Sequence, residues 1–278
     1  MAGYLISAGE ASGDYYGAEL AARLRKLKKN TPIYGFGGEK MRKAGVDVRI
    51  PLVKYNIFGF VEVLLRIIPI IGIFIEAERV IKETRPDTLI VIDYPGFHLR
   101  LIKRAKELGV KRVVYYITPQ VWVWHKSRAK ILQKYTDLAI VKMPFEKKLL
   151  KAEGINAEYF GHPMAAALME EEPAAVRKRG VTIALFPGSR GSEVTRILPV
   201  MLDACRIIIK SAKASFVLFA AQTADRGFIQ KFVSRCPELG IKTARQGEKI
   251  RFDYAIAKSG TTTLEMALKL KPHVIVYR

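Results

Sequence analysis

Short apolar runs punctuate this chain, and between them apolar side chains recur every three or four residues. The runs Tyr4–Ser7, Ile33–Gly35, Thr88–Ile92, Arg112–Ile117, Leu138–Val141 and Glu158–Phe160 predict strands. The intervening stretches predict helices; Tyr16, Leu20, Leu24 and Leu27, for example, fall on one helical face. Strand–helix alternation means parallel strands joined by crossover helices, an α/β fold with an open sheet. The alternation pauses at "LMEEEPAAVRKRG", Leu168–Gly180, which is charged, contains Pro173 and reads as a linker. It then restarts, with strands predicted at Val181–Phe186, Phe216–Phe219, Tyr254–Ala257 and Val274–Tyr277 and helices near Glu193–Lys210 and Thr262–Leu270. Two Rossmann-like domains are therefore expected, residues 1–168 and 180–278, facing a cleft that receives ligands at the carboxyl ends of the strands. The second domain stops right after a strand, which predicts that it is truncated at its C-terminus.

Charge adds a constraint. Among 278 residues, 47 Lys+Arg face 26 Asp+Glu, a formal net charge of +21. Such a surplus favours polyanions: nucleic acid, phosphorylated metabolites or an anionic membrane. Two cysteines, Cys205 and Cys236, predict a reducing compartment and no disulfide framework. Four histidines without paired spacing, and no C-x-x-C, argue against a zinc site.

Candidate chemistry gathers where predicted strands run into helices. In "IALFPGSRGSEV", Gly188 permits close backbone approach, and Ser189 and Arg190 precede a helix whose free amides and positive dipole end suit a phosphate. Arg190 adds a bidentate donor; a plain helix cap is the alternative. In "AKSGTTTLEMAL", Ser259, Gly260 and Thr261 repeat the strand–turn–helix arrangement. Glu265, one turn on, is placed to accept ribose hydroxyls or to lie as a surface charge. In "TLIVIDYPGFHLRL", Asp93 stands at the carboxyl end of an apolar strand, suited to chemistry or to capping the next helix. In "YYITPQVWVWHKSR", Trp122, Trp124 and His125 lie beside Arg128, which either pairs with an anionic ligand or faces solvent.

The stretch Asn56–Ile81 carries an uncharged run, Ile67–Ile75, well short of the ~20 apolar residues that a membrane span needs. It is either a core-facing helix or an interfacial element that exposes an apolar face to lipid.

These segments, in order, resemble a known family. "SAGEASGDYYGAEL", "GFGGEKMRKAG", "NIFGFVEVL", "PDTLIVIDYPGFHLRL", "YYITPQVWVWHKSR", "MPFEKKLL", "YFGHPM", "FPGSRGSEV", "SGTTTLEMAL" and "PHVIVYR" are together similar to the bacterial lipid-A-disaccharide synthases, collinearly and over essentially the whole chain. The resemblance implies a GT-B fold and an inverting, metal-independent glycosyltransferase without a cofactor. It would join UDP-2,3-diacylglucosamine to 2,3-diacylglucosamine 1-phosphate (lipid X), releasing UDP. The donor would lie on Gly188, Ser189, Arg190, Ser259, Gly260, Thr261 and Glu265. The acceptor would lie against Gly9, Ser12, Gly13, Asp14 and Arg128. The essential strand-end aspartate falls on Asp93, the first candidate base, with Glu10 the second. Phe58, Val61, Leu64, Ile67, Ile68, Ile71 and Phe74 would meet acyl chains at an anionic membrane, peripherally on the cytoplasmic face of the inner membrane. The resemblance also implies a homodimer that exchanges C-terminal parts, and no nucleic-acid partner. Two positions depart from the family: His98 stands where Asn is usual, and Ala166 where Asp is usual.

Two rivals share parts of this pattern. A UDP-GlcNAc 2-epimerase-like isomerase would use the same two-domain plan and nucleotide loop, but has no need of the apolar Asn56–Ile81 surface. A basic nucleic-acid-binding protein would gather its Lys and Arg on one face, whereas here they are spread over most predicted helices.

Overall fold

The structure, a computed structural model, describes residues 3–55, 67–121, 126–168, 180–189, 191–221, 225–245, 248 and 250–277. It resolves into two compact units, Met1–Pro163 and Met164–Arg278. The first contains seven strands: β1 (Tyr4–Ala8), β2 (Ile33–Phe36), β3 (Asp47–Ile50), β4 (Thr88–Ile92), β5 (Arg112–Tyr116), β6 (Leu138–Val141) and β7 (Ala157–Tyr159). All are parallel, in the order β3-β2-β1-β4-β5-β6-β7. Between them run α1 (Ala11–Leu27), α2 (Glu39–Lys43), α3 (Ile67–Thr84), α4 (Pro95–Glu107), α5 (Lys126–Tyr135) and α6 (Pro144–Ala152), and α7 (Pro163–Leu168) follows β7.

Alternate residues of each central strand feed two separate cores. Leu5, Leu89, Val91, Val113 and Tyr115 pack against α3, α4, α5 and α6, while Ile6, Ala8, Ile90 and Ile92 pack on the side of α1 and α2. Burial on both faces explains why these strands read as unbroken apolar runs. Helix α1 meets the sheet through small residues, Gly13, Gly17 and Ala21. A Cβ on Gly17 would approach the Met41 sulfur to 2.8 Å. The expected stripe of Tyr16, Leu20 and Leu24 lies half-buried beside that seam, and Leu27 is exposed, because the closest helix–sheet approach runs along the glycines.

The second unit holds five parallel strands, β8 (Val181–Phe186), β9 (Ala214–Ala220), β10 (Lys242–Arg245), β11 (Tyr254–Lys258) and β12 (His273–Val276), in the order β10-β9-β8-β11-β12. Its helices are α8 (Gly191–Ser211), α9 (Arg226–Val233) and α10 (Thr261–Leu268). Helix α8 buries Val194, Ile197, Leu198, Met201, Leu202 and Cys205 against Ile183, Leu185, Phe216 and Leu218. On the opposite face Phe186 stacks on Phe219 at 5.0 Å. The expected α/β class holds for both units. Strands β3 and β10 and helix α9 are elements that the apolar pattern does not predict, and β7 begins one residue before its expected position, leaving Phe160 exposed.

Within Asn56–Ile81, residues 56–66, and with them Phe58, Val61 and Leu64, lie outside the described residues, as do the side chains of Ile67 and Ile68. The rest is amphipathic. Ile73, Ala77, Val80 and Ile81 enter the core, and Ile71 and Ile75 face solvent. Phe74, expected at a lipid surface, instead packs inward with its ring 5.3 Å from that of Phe97. Its place on the helix turns it towards the sheet. Among the described residues no helix is long and apolar enough to cross a membrane.

Candidate active site

Each sheet reverses its strand order once, at β1/β4 in the first unit and at β8/β11 in the second. At such a reversal the connections leave in opposite directions and a crevice opens beyond the carboxyl ends of the two strands. The segments that follow β1, β4, β8 and β11, four of those singled out from sequence, emerge at these two places.

In the first unit, β1 and β4 pair up to Ala8 and Ile92. The chain leaves β1 through Gly9 and Glu10 into α1, and leaves β4 through Asp93 and Tyr94 into α4. Asp93 and Tyr94 both adopt left-handed backbone conformations, φ 50° and 52°, and Ile117, just after neighbouring β5, has φ 61°. Left-handed geometry costs a non-glycine residue of order 1–3 kcal/mol and persists only where surroundings enforce it. Here they do. The Asp93 amide donates to the Tyr116 carbonyl at 3.0 Å. The Asp93 carbonyl accepts from the Tyr115 hydroxyl at 2.9 Å and from His98 Nδ1 at 2.6 Å. The Tyr94 carbonyl accepts from the amides of Phe97 and His98.

His98 is fully buried among the rings of Tyr94, Phe97 and Tyr115. A carbonyl can only accept, so Nδ1 carries the proton; Nε2 then accepts from the Ser7 hydroxyl at 2.8 Å. Burial pushes the imidazole pKa down to about 4, keeping it neutral. Burial also raises the Asp93 carboxyl above its ordinary range, opposed by the Lys142 ammonium and a backbone hydrogen bond. Lys142 follows β6, where the buried Glu146 carboxylate holds its amide at 3.0 Å. Burial raises the pKa values of Tyr16 and Tyr115; the Asp93 charge adds to both shifts, and Arg128 on α5 opposes that of Tyr115. Asp93, Tyr16, Tyr115, Lys142 and Arg128 thus share one electrostatic neighbourhood.

The opening loop is packed closely into the protein. Gly9 leaves room for protein: a Cβ there would fall inside the Tyr94 ring. Gly13 lets α1 approach Ala8, its notional Cβ lying 3.2 Å from the Ala8 Cβ. Asp14 is buried, and its carboxylate accepts from the amides of Gly38, Lys40 and Met41 at 2.7, 2.9 and 3.2 Å, capping α2. Its oxygens serve that cap, so Asp14 holds α2 against α1. Glu10, half-buried at the start of α1, and Ser12, exposed in its first turn, remain at the crevice.

In the second unit, Gly188 has φ 112°, a conformation that favours glycine, and Ser189 follows it. Arg190 lies outside the described residues. The Glu193 carboxylate reaches back from α8, accepting from the Ser189 amide at 3.1 Å through Oε2 and from Lys258 Nζ at 3.0 Å through Oε1. Lys258 ends β11 directly before Ser259, Gly260 and Thr261, so one carboxylate joins the two expected donor loops. In sequence Glu193 reads only as part of a helix start and Lys258 carries no signal of its own. Glu265 is half-buried on α10 and accepts from Lys269 Nζ at 3.0 Å.

With this geometry in view, comparison with known proteins is decisive. Residues 4–278 match the family model described as lipid-A-disaccharide synthetase. The chain belongs to the lipid-A-disaccharide synthase family. Lipid-A-disaccharide synthase of Anaeromyxobacter dehalogenans is 37% identical over 99% of this chain and 74% of its own length. That of Trichlorobacter lovleyi is 38% identical over the same shares. Members of this family are glycosyltransferases that make the lipid A disaccharide, and this chain is an enzyme of that kind. Solved structures share the GT-B fold at low identity. The UDP-GlcNAc 2-epimerase of Neisseria meningitidis bound to UDP-GlcNAc has a TM-score of 0.62 at 13% identity, covering 98% of this chain and 81% of its own. The apo lipopolysaccharide outer core galactosyltransferase WaaB scores 0.54 at 16%, covering 99% and 80%.

The contact between Gly9 and Tyr94 yields a test. Gly9→Ala should destabilise the protein by about 1–3 kcal/mol through overpacking, measured by denaturant unfolding. In a Tyr94→Gly background, which removes the ring and suits the left-handed backbone, the same change should cost little. Equal costs in both backgrounds would show that the ring is not what excludes a side chain at position 9.

Proposed function

We propose that this enzyme transfers 2,3-diacylglucosamine from its UDP derivative to the 6-hydroxyl of lipid X, with Asp93 as the general base. The observation that carries the reading is the Asp93 turn: a carboxylate at a strand-order reversal, its pKa raised by burial, on a strained backbone whose polar groups are all held. A base near its substrate works best when its pKa approaches the working pH. Asp93 takes the acceptor hydroxyl proton as that oxygen bonds to the anomeric carbon and the bond to UDP breaks. Glu10 and Arg128 bind the acceptor head group beside it.

The departing diphosphate gains negative charge. Amides of the Gly188–Ser189 turn, the positive end of α8 and the Lys258 ammonium offer stabilisation that needs no bond rearrangement. Glu193 holds the Ser189 amide and Lys258 in place, and on this reading the diphosphate takes over both donors. Ser259, Thr261 and Glu265 complete the nucleoside side. The apolar pair Ile71 and Ile75 on α3, together with the positive charge of the chain, suits peripheral attachment to an anionic bilayer.

Asp93→Asn should lower kcat by about 10²–10⁴-fold while leaving UDP affinity unchanged. Because the base must be ionised, kcat/KM of the wild type should fall as pH drops through a value above the ordinary carboxylate pKa of about 3.9. Retained turnover in Asp93→Asn would move the base elsewhere, with Glu10 next in line.

Lys258→Met should weaken UDP binding by about tenfold in calorimetry, the loss expected for one charge-assisted hydrogen bond. An unchanged Kd would place the diphosphate away from this loop.

The protein should co-float with vesicles containing anionic phospholipid at low salt and be released near 1 M salt, where the Debye length is about 3 Å. Ile71→Glu with Ile75→Glu should reduce flotation. Failure of the wild type to float would remove the membrane part of the reading.

A further inference from the structure

We propose that His98 is a positioning residue for the transfer reaction, acting through the main chain of Asp93; the inference rests on Asp93 being the base. His98 touches no solvent, and its two ring nitrogens reach β1 and the turn that follows β4. Nδ1–H donates to the Asp93 carbonyl just past β4, and Nε2 accepts from Ser7 in β1. These strands flank the crevice. The imidazole is therefore a strut across the strand-order reversal, and its load is the carbonyl of a residue with φ 50°.

The carbonyl direction and the side-chain direction of one residue are coupled through the same Cα. Release of the carbonyl would let Asp93 relax to an ordinary backbone conformation and swing the carboxylate away from the rim. Tyr115 provides a second hold on that carbonyl, and Tyr94 and Phe97 wall the imidazole in. Strain at Asp93, Tyr94 and Ile117 lies within this small region, whereas the Lys142 and Arg128 side chains supply its positive charge.

Covalent geometry separates the two functions of the ring. Nδ1 stands two bonds from Cβ, as the amide nitrogen of Asn does. Nε2, an acceptor, stands three bonds from Cβ, as the amide oxygen of Gln does. His98→Asn can keep the bond to the Asp93 carbonyl and lose Ser7; His98→Gln can keep Ser7 and lose the carbonyl.

The experiment measures kcat, KM and UDP affinity for His98→Asn, His98→Gln, Ser7→Ala and Asp93→Asn, with thermal unfolding as a check on folding. We expect His98→Asn to hold kcat within about threefold and His98→Gln to lose about 10–100-fold in kcat, the range for a catalytic group displaced by about an ångström. UDP affinity should stay unchanged in both. Ser7→Ala, a small and readily accommodated change, should lose only a few-fold. In an Asp93→Asn background, His98→Gln should have no further effect, because its influence passes through that carboxylate. Equal turnover of the Asn and Gln variants, or an undiminished effect of His98→Gln in the Asp93→Asn background, would overturn the inference. Normal turnover of Asp93→Asn alone would instead remove the assignment of the base.

Discussion

A parallel strand can be reached from its neighbour only through a crossover, and crossovers between L-amino-acid strands are right-handed. A sheet that grows in one direction therefore collects its helices on one face. To cover both faces the chain must return to the first strand and grow the other way. In both units it does so once, between β1 and β4 and between β8 and β11. The apolar runs are buried on both sides because of that return, and the crevices at the reversals are its by-product. No side chain creates these crevices; side chains only furnish them.

The furnishing at β1/β4 turns on desolvation. The same burial that makes the His98 imidazole a neutral donor–acceptor pair raises the Asp93 carboxyl. Charge was not the means used to hold the turn. Neutral hydrogen bonds from His98 and Tyr115 fix the main chain, and the Asp93 carboxyl is governed by burial, opposed by Lys142 just after β6. An ammonium in place of the imidazole would stabilise the ionised carboxylate and weaken it in the proposed role of base.

Most of this architecture is legible in the sequence, and the gaps have a common cause. Strands buried on both faces announce themselves as apolar runs, so β1, β4, β5, β6 and β8 are read nearly to the residue. Strands β3 and β10 lie at sheet edges, with burial alternating or confined to one position, and "DVRI" and "KTAR" offer no such run. The site follows the same logic. Asp93 is visible because it terminates an apolar strand. Ser7 and His98 are not, because their bond spans 91 positions and neither residue type is distinctive alone. Glu193 and Lys258, 65 positions apart, escape for the same reason. The packing of Gly9, Gly13 and Asp14 is not legible in sequence: the glycines admit protein atoms, and the aspartate secures α2.

The Glu193 carboxylate has a consequence for discrimination. It already balances the Ser189 amide and the Lys258 ammonium. A visiting anion of single charge offers these donors no more than they possess, so exchanging it for Glu193 is close to isoenergetic. A diphosphate brings more charge and more acceptor oxygens than the carboxylate it replaces. With the diphosphate bound here as proposed, an internal carboxylate of this kind would work as a threshold, leaving the loop indifferent to small anions and responsive to the polyphosphate chemistry that distinguishes an activated sugar.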